Sequence, residues 1–218
     1  MVTQQTIQKV RDALEKNGMT TYYLSAKEEV VPLLETLIPA GSTVGIGGSM
    51  TLFEAGVIDH LRQPKYHLFD RYQEGLSRQS VEKIYRDSLT ADVYLSSTYA
   101  LTEKGELYNV DGNGNRVAAL VYGPKSVIII AGINKIVPDL EAAIYRVKTV
   151  AAPKNCVRLH CETYCQKAGK CVSLRQPHPG MTDCCSSPTR ICRHYHVAGP
   201  QRQKGRIQVI LVGESLGY

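Results

Sequence analysis

The sequence predicts an α/β domain with a mostly parallel sheet, helices on both faces and a cysteine-rich loop insert before the last strand. Apolar runs of strand length alternate with helical stretches, and the clearest strands are Val127–Ala131 and Ile207–Gly213. All seven cysteines fall between these two strands, at positions 156–192. At 218 residues the chain is long enough for one such domain with one appendage.

The first half of the chain alternates helices with strands. Ile7, Val10 and Leu14 recur at helical spacing and mark an amphipathic helix. Ser25–Glu28 has the form of a capping box, while Pro32 indicates a kink or a later start of the second helix. The predicted elements are a helix over residues 3–17, a strand over Tyr22–Leu24, a helix from Ser25 to Leu37, a strand over Val44–Ile46, a helix over Phe53–Leu61 and a strand over Tyr66–Asp70.

The second half continues this alternation. Val81, Ile84 and Leu89 lie on one face of a helix. Lys104–Gly105 is typical of a hairpin turn, and Asp111–Asn115 is a dense turn signal. The predicted elements are a helix over Ser77–Leu89, a strand over Ala91–Thr98, a hairpin over Leu101–Val110, a strand over Val127–Ala131, a helix from Pro138 to Val147 and a last strand over Ile207–Gly213.

Charge and cysteine content divide the chain into two parts: residues 1–150 plus 207–218, and residues 151–206, which we call the cysteine segment. The cysteine segment holds every cysteine and ten Lys or Arg against two acids, so its net charge is +8. The rest sums to −2, because the whole chain carries +6. We predict an α/β body and a basic metal-binding insert, since clustered cysteines in a reducing compartment indicate metal or redox chemistry.

Two further observations concern location and partners. No apolar run approaches the ~18 residues of a membrane span, and the amino-terminal residues lack a secretory pattern, so we expect a cytoplasmic protein without membrane contact. The cysteine segment offers only Tyr164 and Tyr195 for base stacking, which argues against a nucleic-acid partner.

A glycine loop follows the strand at Val44–Ile46, and we define it as Gly45–Thr51 (GIGGSMT). Its three glycines permit close backbone approaches that a Cβ would block. Ser49 and Thr51 are expected to cap a helix that begins near Leu52. The loop predicts a site for a phosphate, carboxylate or thioester oxygen, although its spacing fits neither a Walker A loop nor the dinucleotide fingerprint. The alternative is a βα turn that binds nothing.

Other polar residues follow strands of the same predicted sheet. Ligands of parallel sheets gather at the carboxyl ends of strands, where we expect the turn at Asp111–Asn115 and the pair Asn134–Lys135 to meet the glycine loop. Lys135 supplies a positive charge for an anion, or is simply a solvated strand end. Glu103 and Asp111 are candidates for a base, with Glu103 also interpretable as an ordinary hairpin residue.

Several strings of this sequence, taken in order, resemble the LUD domain of the lactate-utilisation LutC and YkgG proteins. The resemblance covers roughly residues 1–150 and the last strand, and it is closest to the branch with a cysteine block ending in Ser-Pro-x-Arg-Ile-Cys. It implies a fold like those of ribose-5-phosphate isomerase and the NagB/CoA-transferase proteins. The strings are GSTVGIGGSMT (41–51), FDR (69–71), LTEKGEL (101–107), DGNGNRVAA (111–119), GINK (132–135) and SPTRIC (187–192).

The resemblance also implies roles for particular residues. It places Gly47, Gly48, Ser49 and Thr51 at a loop that faces the ligand, and Asn113, Asn115 and Lys135 on its rim. Matching the cysteine block backward from its end implies metal ligands at Cys165, Cys171, Cys185 and Cys192.

The cysteine block departs from this pattern in two ways. The spacer Val172–Thr182 is longer than the usual one, and Cys184 stands where an acid is expected. The spacing matches neither zinc ribbons nor ferredoxins, so four thiolates are compatible with an iron–sulfur cluster, expected to be 4Fe–4S, or with zinc.

The leading hypothesis is a cytoplasmic LUD-domain protein that binds a small anionic metabolite and an iron–sulfur cluster, and that acts in oxidation of lactate or a related carboxylate with an electron-transfer partner protein. Whether it is itself an enzyme stays open, with an oxidoreductase component favoured. The alternative is an isomerase-like, transferase-like or ligand-binding protein of the CoA-transferase fold with structural zinc. Nothing marks the glutamate nucleophile that CoA transfer needs, and a homo-oligomer is compatible with either hypothesis.

Overall fold

The structure is a computed structural model that describes residues 2–218. Within this range the strands are β1 (Thr20–Leu24), β2 (Thr43–Ile46), β3 (His67–Phe69), β4 (Val93–Ser96), β5 (Ala100–Thr102), β6 (Leu107–Asp111), β7 (Ser126–Gly132), β8 (Ile136–Val137), β9 (His194–Ala198) and β10 (Ile207–Val212). The helices are α1 (Gln4–Lys16), α2 (Val30–Leu37), α3 (Met50–Glu54), α4 (Val57–Leu61), α5 (Arg78–Asp87), α6 (Asn115–Tyr122), α7 (Leu140–Arg146), α8 (Ala152–Arg158) and α9 (Tyr164–Ala168). None of the helices described here is long and apolar enough to cross a membrane.

Six strands form a parallel sheet in the order β1-β10-β7-β4-β2-β3. Side chains of β7 alternate between its two faces: Ile128 and Ile130 pack with α2–α4, while Val127 and Ile129 pack with α1 and α6. Both faces of the sheet are therefore covered by helices, and the predicted fold class is confirmed.

A second sheet joins part of the cysteine segment to the body. Its order is β8-β5-β6-β9, and β6 pairs antiparallel with β9. In addition to the apolar cores on the two faces of the six-stranded sheet, a third core contains Tyr108 and Val110 of β6, together with Cys156, Cys165 and Ile191. The cysteine segment thus packs on the body through a strand and a shared core, and its status as a separate unit stays a prediction.

Three local expectations were wrong. The predicted helix over Phe53–Leu61 is two short helices, because Gly56 between them has φ +67. Ser49 precedes α3 but makes no capping hydrogen bond with its side chain, and Thr51 lies inside that helix. The capping box before the second helix was expected to end at Glu28. The carboxylate that makes this contact instead belongs to Glu29, which accepts from the Ala26 N–H at 2.9 Å.

Several elements were not predicted: α6, α8, α9, β8 and β9. Helix α8 continues from α7 through a π-helical stretch at Val147–Ala151. The carboxyl ends of β2, β3, β4, β7 and β10 lie at one edge of the sheet, so the loops that follow these strands meet there.

Arg206 is buried although it belongs to the basic cysteine segment. Its guanidinium donates to Pro124 O at 3.0 Å, Leu120 O at 2.7 Å and Ala119 O at 2.9 Å. Leu120 O lies in the last turn of α6 and has no helical N–H partner, because the residue four positions on is Pro124, whereas Ala119 O also accepts from the Gly123 N–H at 3.1 Å. The charge of Arg206 therefore serves the fold and is not part of a basic surface.

We expect Arg206→Met to lower the free energy of unfolding by about 2–4 kcal/mol, because several buried carbonyls lose their donors. Urea unfolding followed by circular dichroism measures this change. Arg202→Met at an exposed position is the control and should change stability by less than about 0.5 kcal/mol. Equal effects of the two substitutions would contradict this role for Arg206.

Candidate functional site

The glycine loop enters the site through two glycines with different surroundings. The Gly47 N–H donates to Leu95 O at 2.8 Å, and a Cβ there would lie 2.7 Å from Ser96 Oγ and 3.0 Å from Arg116 Cδ. A Cβ on Gly48 would come no closer than 3.5 Å to any atom. Gly47 is therefore required for packing, whereas above Gly48 there is space for a methyl group at ordinary van der Waals distance from its neighbours.

Three hydrogen-bond donors surround that space. From the position of a Gly48 Cβ, Arg71 Nη1 is 3.5 Å away, Arg158 Nη2 is 3.7 Å away and Tyr72 Oη is 3.7 Å away. We call Gly48, Arg71, Tyr72 and Arg158 the Gly48 cradle. Arg71 and Tyr72 belong to the turn after β3, which Asp70 fixes. The Asp70 carboxylate accepts from the Tyr72 N–H at 2.8 Å and from Arg62 Nε at 2.9 Å.

The donors of the Gly48 cradle lack acidic partners. Within residues 2–218, neither Arg71 nor Arg158 forms a salt bridge, and the buried Tyr72 hydroxyl donates to no acceptor. Arg71 stacks over Tyr85 with its Cζ 4.6 Å from the ring centroid. Burial raises the pKa of Tyr72, so its hydroxyl stays a donor. Two like charges and a free hydroxyl at one point are suited to an anion.

Three members of the Gly48 cradle, Gly48, Arg71 and Arg158, line a cleft with room of about 420 Å³, which we call the arginine cleft. Its walls come from the body and from the cysteine segment. Arg190 and Arg193, which line it from the cysteine segment, form no salt bridge among the described residues. The residues that line it and carry the argument below are Gly48, Arg71, Asn113, Asn115, Arg158, Arg190 and Arg193.

Arg116 also lines the arginine cleft but is already neutralised. Its Nη2 lies 2.7 Å from Asp111 Oδ1, and both residues are buried. The other Asp111 oxygen accepts from the Val117 N–H at 3.0 Å. Asp111 is thus engaged in an ion pair, and Glu103 pairs with Lys9 at 2.6 Å on the hairpin, so neither carboxylate is placed as a free base.

A small cavity adjoins the arginine cleft and contains Lys135, which is 2% exposed. The Lys135 ammonium donates to Thr51 Oγ1 at 2.9 Å and to Ser97 Oγ at 2.8 Å. Burial, with Arg146 and Arg116 nearby, lowers the pKa of Lys135 to about 7. Lys135 therefore switches between a cation and a neutral amine near neutral pH.

The structure brings most of the predicted anion-site residues together. Gly48, Asn113 and Asn115 line the arginine cleft, whereas Ser49, Thr51 and Lys135 line the small cavity beside it. Gly47 lines neither space. Sequence reasoning missed Arg71, Tyr72, Arg158, Arg190 and Arg193, although the position of Arg71 and Tyr72 directly after a strand was a usable signal.

Six of the seven cysteines line a second, mostly apolar cavity, which we call the cysteine cavity. They are Cys156, Cys165, Cys171, Cys184, Cys185 and Cys192. Burial, followed by the thiols of Cys184, Cys165, Cys171 and Cys185, raises the pKa of Cys192 to about 12, which reflects how near these thiols lie to one another. Among residues 2–218, no three His, Cys, Asp or Glu side chains form a group that could hold a single metal ion.

Two cations face the cysteine cavity. Lys148 is buried without a carboxylate partner in the described part of the chain, and its ammonium donates to Ser173 Oγ at 2.8 Å. Arg190 Nη1 donates to Cys184 Sγ at 3.0 Å and to Cys185 O at 2.8 Å. A buried ammonium without a counter-charge is costly, and an anionic occupant of this cavity would offset it.

The contrast between the two glycines leads to a matched prediction. We expect Gly47→Ala to lower the free energy of unfolding by about 1–3 kcal/mol through overpacking. Gly48→Ala should change stability by less than about 0.5 kcal/mol, yet its methyl group fills the space between the cradle donors. Thermal melting with and without inorganic phosphate tests both, and the phosphate-induced stabilisation should disappear in Gly48→Ala. Unchanged stabilisation in that variant would contradict the cradle.

Lys135 leads to a prediction on pH dependence. Its pKa is about 7 when folded, against 10.5 for the free side chain, so between these values the unfolded chain binds the additional proton. The free energy of unfolding should therefore rise with pH above about 7, by at most about 1.4 kcal/mol per unit, relative to Lys135→Met. Urea titrations from pH 6 to 9 measure the difference, with Lys16→Met as the exposed control. A pH-independent difference would refute this expectation.

Among known proteins, a family model described as the LUD domain matches residues 7–212 of this chain. The structure is similar to a DUF162 family protein from Deinococcus radiodurans, with a TM-score of 0.50 and 15% identity over 96% of this chain and 97% of that one. A weaker likeness, with a TM-score of 0.38 and 14% identity over 81% and 80% of the two chains, is to ribose 5-phosphate isomerase A from Methanocaldococcus jannaschii.

No curated protein sequence matches the chain. The family model nevertheless spans nearly all of the described residues, including every residue that lines the arginine cleft and the cysteine cavity. The resemblance inferred from the glycine loop, the hairpin and the cysteine block is thereby confirmed, and the chain belongs to the LUD domain family.

Proposed function

We propose that this protein binds a small anionic metabolite in the arginine cleft and an iron–sulfur cluster in the cysteine cavity, and that it acts in oxidation of lactate or a related carboxylate. The observation that carries the proposal is a shared wall. Arg190 and Ile191 line both the arginine cleft and the cysteine cavity. An anion site and a thiol site are thus immediate neighbours.

The cysteine cavity suits a cluster in its donor set. Each thiolate of a 4Fe–4S cluster binds a different iron, so the ligands surround a cavity instead of converging on one ion. We assign Cys165, Cys171, Cys185 and Cys192 as the ligands, with Cys156 and Cys184 beside them. A cluster with four thiolates carries net negative charge, which Lys148 and Arg190 would balance. Such a cluster supplies one-electron transfer.

The residues of the arginine cleft bind and orient the metabolite. Arg71 and Arg158 hold its anionic group above Gly48, and the Tyr72 hydroxyl donates a third hydrogen bond. Lys135 in the adjoining cavity accepts or releases a proton near neutral pH, relayed by Thr51 and Ser97 or by water. Electrons leave to a partner protein, which the cations of the cysteine segment would attract if it is acidic. Seven free thiols suit a cytoplasmic location.

The first test is the iron, acid-labile sulfide and zinc content of anaerobically purified protein, together with its absorption spectrum. We expect about four iron and four sulfide per chain, with a broad charge-transfer band that bleaches on reduction. The adjacent pair Cys184 and Cys185 provides matched variants because both line the cysteine cavity. Cys185→Ser should lose iron, whereas Cys184→Ser should retain it.

Cys161→Ser is a further control, since Cys161 is the one cysteine of the described chain that does not line the cavity. Zinc in a colourless protein would instead make the site structural and refute the redox role. It would favour the alternative of a ligand-binding or isomerase-like protein. Iron that survives Cys185→Ser and is lost in Cys184→Ser would overturn the ligand assignment.

A further inference from the structure

The arginine cleft is larger and more basic than a small monocarboxylate requires. Its room of about 420 Å³ falls within the range of sites for ligands well above the size of lactate. Arg71, Arg158 and Arg193 line it without a salt bridge among the described residues, in addition to Arg190, which also faces the cysteine cavity. Three cationic side chains exceed the charge of one carboxylate, so a ligand with a second anionic group matches the cleft better.

The donors fall into two groups that come from different segments of the chain. The first is the Gly48 cradle, where two guanidinium nitrogens and one hydroxyl from three different residues lie 3.5–3.7 Å from the position that a Gly48 Cβ would take. Three separate donors match the three terminal oxygens of a phosphate group better than the two oxygens of a carboxylate.

The second group lies where the cysteine segment meets the turn after β6. The Arg193 N–H donates to Asp111 O at 3.1 Å, and a Cβ on Gly112 would be 3.4 Å from Ile191 Cα, so the two loops lie side by side. Arg193 donates through Nε to Arg190 O at 3.2 Å and through Nη2 to Pro188 O, which orients its guanidinium. Asn113 and Asn115 line the same cleft and add amide donors.

We infer that the metabolite is a phosphorylated carboxylic acid, with its phosphate in the Gly48 cradle and its carboxylate at Arg193, Asn113 and Asn115. This inference rests on the proposed anion-binding role of the arginine cleft and defines the related carboxylate more closely. The carboxylate end then lies beside the wall shared with the cysteine cavity, since Arg190 and Ile191 are neighbours of Arg193.

Calorimetric titration of the full chain, as isolated anaerobically, with two matched probes tests this inference. 3-Phosphoglycerate carries a phosphate and a carboxylate, whereas glycerol 3-phosphate has the same carbon skeleton without the carboxylate. We expect 3-phosphoglycerate to bind at least about tenfold tighter, the usual effect of one charge-assisted contact. Arg193→Gln should remove most of that difference and leave the affinity for glycerol 3-phosphate unchanged, whereas Arg71→Gln should weaken both.

Arg202→Gln is the control, since Arg202 is exposed and outside the arginine cleft. Equal affinities for the two probes, or an equal loss with both in Arg193→Gln, would overturn the second subsite. Lactate binding as tightly as 3-phosphoglycerate would overturn the inference and leave the proposed function standing. If neither phosphate nor lactate binds, the anion-binding role fails with it, whatever the iron content.

Discussion

The buried guanidinium of Arg116 connects the parts of this protein that build the site. It pairs with Asp111 at the end of β6 and donates to Asn109 Oδ1, to Val110 O and to Ser97 O in the loop after β4. Its side chain packs against Gly47, where a Cβ would lie 3.0 Å from Arg116 Cδ. One side chain thus ties the glycine loop, both sheets and α6 together. The cost of burying its charge is offset by the Asp111 carboxylate and several acceptors.

With Arg116 neutralised internally, the remaining arginines define the electrostatics of the cleft. Arg71 is held by stacking on Tyr72 and Tyr85 and not by any acid. Arg158 is held by Asn155 Oδ1 and the Tyr218 hydroxyl, both neutral groups. Neutral supports position a guanidinium while leaving its charge available to a ligand. Preorganised charge of this kind lowers the energetic cost of binding an anion.

The sequence predicts the sheet well because its signals are local. The apolar run at Val127–Ala131 and the hairpin turn at Lys104–Gly105 both fold as expected. The glycine loop lies at the predicted edge, but the Ser49 side chain makes no capping hydrogen bond there, and the helix that follows ends already at Glu54. Such boundaries depend on tertiary packing, which a local pattern does not contain.

The Gly48 cradle could not be predicted in the same way. Arg71 follows a strand of the body, whereas Arg158 lies on α8 within the cysteine segment, and only the fold brings them together at Gly48. Helix α8 was missed because it carries no simple apolar stripe: Cys156 packs in the core while Asn155 and Arg158 face the cleft. The cysteine cavity was easier to infer, since its residues lie close together along the chain.

Helix α8 has a mechanical consequence. Within two turns, its residues Asn155 and Arg158 line the arginine cleft and its residue Cys156 lines the cysteine cavity. The helix continues from α7 through the π-helical stretch. A helix that lines two sites gives their occupants a common element to act on, and thermodynamic linkage makes any coupling between two binding sites reciprocal. If the proposed anion and cluster both bind, a change that the anion makes in the affinity of the thiol site through α8 must be matched by an equal change that the cluster makes in the affinity of the cleft.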